Sequence, residues 1–148
     1  MGRFRTSGCV IEYEGKILFV HQVASDFWGF PKGSMMDGES TSECALREVR
    51  EETGVELSHD QLIHKFDWNK SRLYFVKLTS APVVKIDGYE IDKYRWEPLE
   101  FLQFAQASTL TQAIAYKLTC WKKLKSRSAL RYNNGCFNYR NDIGPLCA

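Results

Sequence analysis

Apolar residues in this chain gather in short β-rich runs through its first two thirds and then recur at helical spacing. Cys9-Val10-Ile11 and Ile17-Leu18-Phe19-Val20 flank Glu14-Gly15-Lys16, so residues 8–23 predict two strands around a turn. Phe27-Trp28-Gly29-Phe30-Pro31 predicts a short aromatic segment stopped by proline, and residues 32–39 a loop with glycines at 33 and 38. Ser40 with Glu43 has the capping-box spacing that opens a helix. Good helix formers carry it through Glu52, and Gly54 suits the position just past its end. Ala45 and Val49 make an apolar stripe on that helix, while Glu48 and Glu52 share another. Residues 62–68 and 72–78 (RLYFVKL) read as strands joined through Asn69-Lys70. Residues 83–86 are a further short strand or irregular, and residues 93–96 a last core strand ended by Pro98. From Leu99 to about Lys125 the pattern is helical, with Leu110, Ile114, Leu118 and Trp121 spaced by four, four and three. Asn134-Gly135 then marks a turn between two short strands or a loose tail. The order strands, helix, strands, helix predicts an α+β fold with a mixed sheet between helices.

Length narrows this to a single domain over residues 1–148, large enough for a core without disulfide support. No apolar run approaches the roughly 18 residues of a membrane span, and the N-terminus lacks the apolar region of a signal peptide. Five cysteines without metal-ligand spacing read as reduced thiols, which suits the cytoplasm or the nucleus. Met1-Gly2 with Thr6 fits the loose myristoylation template, but Arg3 and Arg5 leading into a first strand explain the segment as well. Asn69-Lys70-Ser71 has the form of a glycosylation acceptor, which means nothing without secretion. The net charge of +2 conceals an asymmetry: residues 101–148 hold seven basic side chains and one acid, and no acid occurs between Phe101 and Asn141. An acidic body with a basic segment over residues 101–132 points to a polyanionic partner.

The densest chemistry lies between Gly33 and Val55, GSMMDGESTSECALREVREETGV. On a helix Glu48, Glu51 and Glu52 can aim their carboxylates at one region. Like charges so close need a cation among them, and hard oxygens at that density suit Mg²⁺ or Mn²⁺.

Read in order, the segment is Gly33, five residues, Glu39, seven residues, Arg47-Glu48-Val49, one residue, Glu51-Glu52, one residue, Gly54-Val55. This resembles the Nudix box at all nine defined positions, and a solvated acidic helix would not explain the glycines, Arg47 and the aliphatics together. The resemblance implies an α/β/α sandwich whose loop–helix–loop binds divalent metal and hydrolyses nucleoside diphosphates linked to another group. It makes Glu48 and Glu52 the principal ligands, with Glu51 and the Gly33 carbonyl as further ones. Arg47 would pair with Glu51 or Glu39, and Glu39 would orient the others.

The flanks resemble the catalytic domain of mRNA decapping enzymes over about residues 8–102. Trp28-Gly29-Phe30-Pro31-Lys32-Gly33 opens the box, Arg72-Leu73-Tyr74-Phe75-Val76 follows, and Glu90-Ile91 precedes Tyr94-Arg95-Trp96. On that likeness Glu90 is a metal ligand or general base on a mobile loop. Trp28, Phe30 or Tyr74 would stack on the cap base, with Lys32 at the substrate. Lys117, Lys122, Lys123, Lys125, Arg127 and Arg131, interleaved with Tyr116, Trp121 and Tyr132, would bind the RNA body. The chain departs from those enzymes in starting the Nudix body almost at Met1, without an N-terminal regulatory domain, and in Ser34 where they usually carry lysine. The expected activity is therefore hydrolysis of the RNA cap to a 7-methylguanosine nucleotide and 5′-monophosphate RNA. The alternatives are a small-nucleotide pyrophosphatase, such as one acting on diadenosine tetraphosphate or nucleoside triphosphates, and a non-catalytic RNA-binding module.

Overall fold

Strand β1 (Thr6–Tyr13) is buried at every position from Ser7 to Glu12, the mark of a central strand covered on both faces. It lies parallel to β6 (Ser71–Leu78) and antiparallel to β2 (Lys16–Gln22) in a computed structural model that describes residues 3–133. The β1–β2 turn places Glu14 at φ 50° and Gly15 at φ 78°, the left-handed pair that tight hairpins favour. Strand β3 (Phe27–Gly29) adds to β2, β4 (Lys32–Ser34) to β1, β5 (His64–Trp68) to β6, and β7 (Ile91–Glu97) to β2, all antiparallel. The product is one mixed seven-stranded sheet. With helices α1 (Thr41–Thr53) and α2 (Thr109–Asn133) the fold is α+β, as expected. Two compact units divide the chain, residues 1–114 and residues 115–148.

Helix α1 is fixed at both ends. The Ser40 hydroxyl accepts the Glu43 N–H, and the Glu43 carboxylate accepts the Ser40 N–H. Gly54 ends the helix at φ 72° with its N–H donated to the Arg50 carbonyl. Ala45 and Val49 are fully buried in a cluster with Cys9, Ile11, Leu18, Val55 and Val76. Each larger aliphatic removed from water there contributes roughly 1.5–3 kcal/mol. With that face committed to the sheet, Glu48 and Glu52 are turned toward β4.

Several expectations are corrected. Residues 32–34 are a strand, not loop, because backbone pairing with Thr6, Ser7 and Gly8 holds them. Strand β5 begins only at His64, after a 3-10 turn at His59–Gln61. Residues 83–86, expected as a short strand or irregular, take the irregular form. Strand β7 is not a core strand: Ile91 is buried, but residues 92–95 are exposed. The helical stretch from Leu99 is broken, with a 3-10 turn at Leu99–Gln103 and a fresh start at α2, where the Ser108 hydroxyl accepts the Thr111 N–H. Cys9, Cys44 and Cys120 are free thiols. Among the described residues no helix is long and apolar enough to cross a membrane. The Met1-Gly2 pattern and the Asn134-Gly135 turn lie outside the described residues.

Candidate active site

Strand β4 and helix α1 face each other at Gly33 and Glu48. A Cβ at Gly33 would overlap the Glu48 carboxylate, so glycine there lets backbone and carboxylate meet. One turn along α1, Glu52 accepts the Lys32 N–H at 3.2 Å through Oε1. Glu48 and Glu52 are 9% and 4% exposed. Burial raises the pKa of both; for Glu52 the result is about 8, with the Glu48 and Glu90 charges adding to the rise. Lys32 stands beside them, its own pKa lowered by burial and held up by Glu52 and Glu48.

Arg47 organises the acids on the other side. Its Nε and Nη2 donate to the two Glu39 oxygens at 2.6 and 3.0 Å, a bidentate pair that holds the Glu39 pKa at about 2. Nη1 donates to Glu48 Oε1 at 3.0 Å and to Glu51 at 3.2 Å, and Nη2 also reaches the Ser34 carbonyl at 2.9 Å. The expectation that Arg47 pairs with Glu51 or Glu39 thus understated it: one guanidinium ties both, together with Glu48 and the strand bearing Gly33. Glu39 also accepts the Met36 N–H, which closes the loop before α1.

Glu48, Glu51, Glu52 and Lys32 open onto a cleft of about 430 Å³ lined also by Thr6, Gln22, Gly33, Ser34 and Glu90. Glu90 is exposed on the turn before β7, yet its charge bears on both Glu48 and Glu52. Among the described residues no three His, Cys, Asp or Glu side chains are gathered closely enough to hold a metal ion by themselves. The donor set still fits a hard cation. Two shielded carboxylates and a close-lying backbone segment leave room for water ligands, which is how Mg²⁺ is usually held.

A profile of the NUDIX domain family matches residues 2–121. The chain belongs to the Nudix family. It is 33% identical over 103 residues to Nudix hydrolase 2 of Arabidopsis thaliana, covering 62% of this chain and 37% of that protein. To mRNA-decapping enzyme subunit 2 of the same plant it is 30% identical over 122 residues, covering 76% of this chain and 33% of the relative. The chain therefore spans about a third of the length of these relatives. Among solved structures, a C. elegans Ap4A hydrolase superposes with a TM-score of 0.65 at 19% identity, over 79% of this chain and 97% of that one, a likeness of fold. Family membership supports a hydrolase, and Nudix hydrolases generally use divalent metals.

The aromatic residues expected at a substrate base are placed differently. Phe30 is fully buried and stacked on Phe19 at 5.5 Å, so it offers no face to a ligand and is corrected to a core residue. Tyr74 packs partly against the core, its hydroxyl 2.7 Å from that of Thr41. The Trp28 ring sits edge-on to Phe101 and tilted against His21. None of the three lines the cleft. Lys117, Lys122, Lys123, Lys125 and Arg127 are all exposed on α2, with the Lys125 ammonium 4.6 Å over the Trp121 ring. The Arg131 side chain lies outside the described residues.

Sequence reasoning missed Gln22 in the cleft and His21 beside it. The one signal was a polar pair closing an otherwise apolar strand.

Proposed function

We propose that this chain is a divalent-metal-dependent pyrophosphohydrolase that cleaves the 5′ cap of RNA to a 7-methylguanosine nucleotide and 5′-monophosphate RNA. The cleft that gathers Glu48, Glu51, Glu52 and Glu90 with Gly33 and Lys32 carries the reading. Mg²⁺ or Mn²⁺, held by Glu48, Glu52 and the Gly33 carbonyl with Glu51 as a further donor, would supply charge neutralisation and an acidified water. Lys32 faces the same space with a positive charge for phosphate oxygens. Glu90 accepts the proton of the attacking water; the new O–P bond forms as the bridging P–O bond breaks, and its electron pair leaves on the departing phosphate. Arg47 keeps Glu48 and Glu51 in pose through that change of charge.

Capped RNA is favoured over smaller substrates by the likeness to a decapping subunit over three quarters of the chain and by the exposed cations of α2. Those cations would add salt-dependent, sequence-independent affinity for the RNA body. A small dinucleoside polyphosphate is the second reading, supported by the Trp28-to-Gly33 entry and the Tyr94-Arg95-Trp96 segment. Incubation with capped RNA, free cap dinucleotide and diadenosine tetraphosphate, each with Mg²⁺ or Mn²⁺, separates the two. Cleavage confined to capped RNA is the expected result. Rapid cleavage of the free dinucleotides, indifferent to RNA, would overturn it in favour of the second reading.

A further inference from the structure

Glu90 reaches the glutamate cluster because of an irregularity in the sheet. Strands β2 and β7 pair regularly from Ile17↔Glu97 to His21↔Lys93, and then Gln22 pairs with Ile91. Asp92 is therefore an extra residue on β7, a bulge. Side chains alternate faces along a strand, so one inserted residue reverses the facing of what adjoins it. Glu90 lies two residues from the insertion and lines the cleft with Gln22.

The bulged residue is held by His21. Its Nδ1 is 2.7 Å from Asp92 Oδ1 and its Nε2 is 2.7 Å from Asp26 Oδ1, while the residue is only 6% exposed. A carboxylate has no proton to give, so both ring nitrogens donate and His21 stands as an imidazolium between two acids. Asp26 adopts φ 60°, and its N–H closes the β2–β3 turn on the Gln22 carbonyl at 2.9 Å. On the opposite side the Val23 N–H donates to the Glu90 carbonyl at 3.0 Å. The Trp28 ring, 5.2 Å away, covers the imidazole. The Asp87 carboxylate, which accepts the Tyr89 and Ile91 N–H groups, shapes the turn internally but does not fasten it to β2.

We infer that His21 is a positioning residue for Glu90: by binding Asp92 and Asp26 it locks the bulge in β7 that aims Glu90 into the cleft. The inference rests on the hydrolytic reading of that cleft. A buried charge with two partners is costly to leave half-paired, so the lock is sensitive to loss of either acid.

Because His21→Ala empties a packed position, Asp92→Ala, on a side chain 37% exposed, is the cleaner variant. Asp92→Ala is expected to lower kcat roughly ten- to a hundredfold with KM within about twofold, as for other residues that orient a functional group. In a Glu90→Gln background it is expected to add no further loss, since both changes remove the same contribution. An equal loss in both backgrounds, or none in either, overturns the inference. A second measurement does not depend on turnover: amide hydrogen exchange over residues 87–92 is expected to quicken at least tenfold in Asp92→Ala and His21→Gln. Unchanged exchange overturns the lock. If the wild-type protein cleaves none of the substrates, the hydrolytic reading fails on its own, and the exchange result still decides whether His21 holds the bulge.

Discussion

Gly33 shows how one residue can determine a site. Any Cβ there would displace the Glu48 carboxylate, so Gly33→Ala is expected to weaken Mn²⁺ binding at least tenfold, measured by calorimetry, while circular dichroism stays unchanged. Mn²⁺ affinity equal to wild type would show that the close approach is not needed. Glu52 adds a pH dependence. Its pKa rises from an ordinary 4.5 to about 8, so across that interval the folded protein holds a proton that the unfolded chain has released. Stability is then present at low pH and lost as pH climbs toward 8. The Tm of metal-free protein in chelator should fall over this window, and Glu52→Gln should flatten the fall. His21, whose pKa its aspartates raise, loses stability in the same direction, so the variant isolates the Glu52 share. A wild-type Tm that rises from pH 5 to 8 would contradict the burial of Glu52. At this scale the glutamates, Arg47 and Gly33 were legible because their chemistry needs fixed spacing. His21 was not, since its role depends on a bulge that no local residue announces.

Among the elements, α1 was legible nearly to the residue, because its signals are local: a capping box, an apolar stripe and a glycine stop. Ser40→Ala removes the cap acceptor and is expected to cost about 1 kcal/mol in chemical denaturation. Hydrolysis should be retained, because the cap lies at the far end of the helix from Glu52; a collapse of turnover at unchanged stability would place Ser40 in the site itself. Strand β4 was illegible for the opposite reason. Lys32-Gly33-Ser34 has no β-branched residue and becomes a strand only because β1 pairs with it, a tertiary effect that outweighs propensity. Strand β7 misled in the other sense, since an aromatic, β-rich pattern formed a mostly exposed strand.

For the molecule as a whole, the decisive property is its divided charge, acidic up to residue 100 and basic beyond. The exposed lysines of α2 lie outside the cleft's lining, so their removal should separate RNA affinity from chemistry. Neutralising Lys122, Lys123 and Lys125 together is expected to flatten the log–log salt dependence of single-stranded RNA binding by about 0.7 for each phosphate that a lysine no longer neutralises. The kcat for cap cleavage at saturating RNA should be unaffected. An unchanged slope would remove α2 from the RNA site. The mixed sheet and the Nudix family were legible from the box and its flanks. The division of α2 from the preceding 3-10 turn was not, because a capping serine at 108 interrupts an apolar rhythm that continues across it. The most direct test concerns the metal-dependent cleavage of cap-labelled RNA by wild-type and Glu52→Gln proteins, followed by product chromatography. Wild-type protein with Mn²⁺ should release a 7-methylguanosine nucleotide and leave 5′-monophosphate RNA, while Glu52→Gln, or wild type in chelator, should release none. Release that persists in chelator or in folded Glu52→Gln protein would contradict a metal-dependent hydrolase built on this cluster.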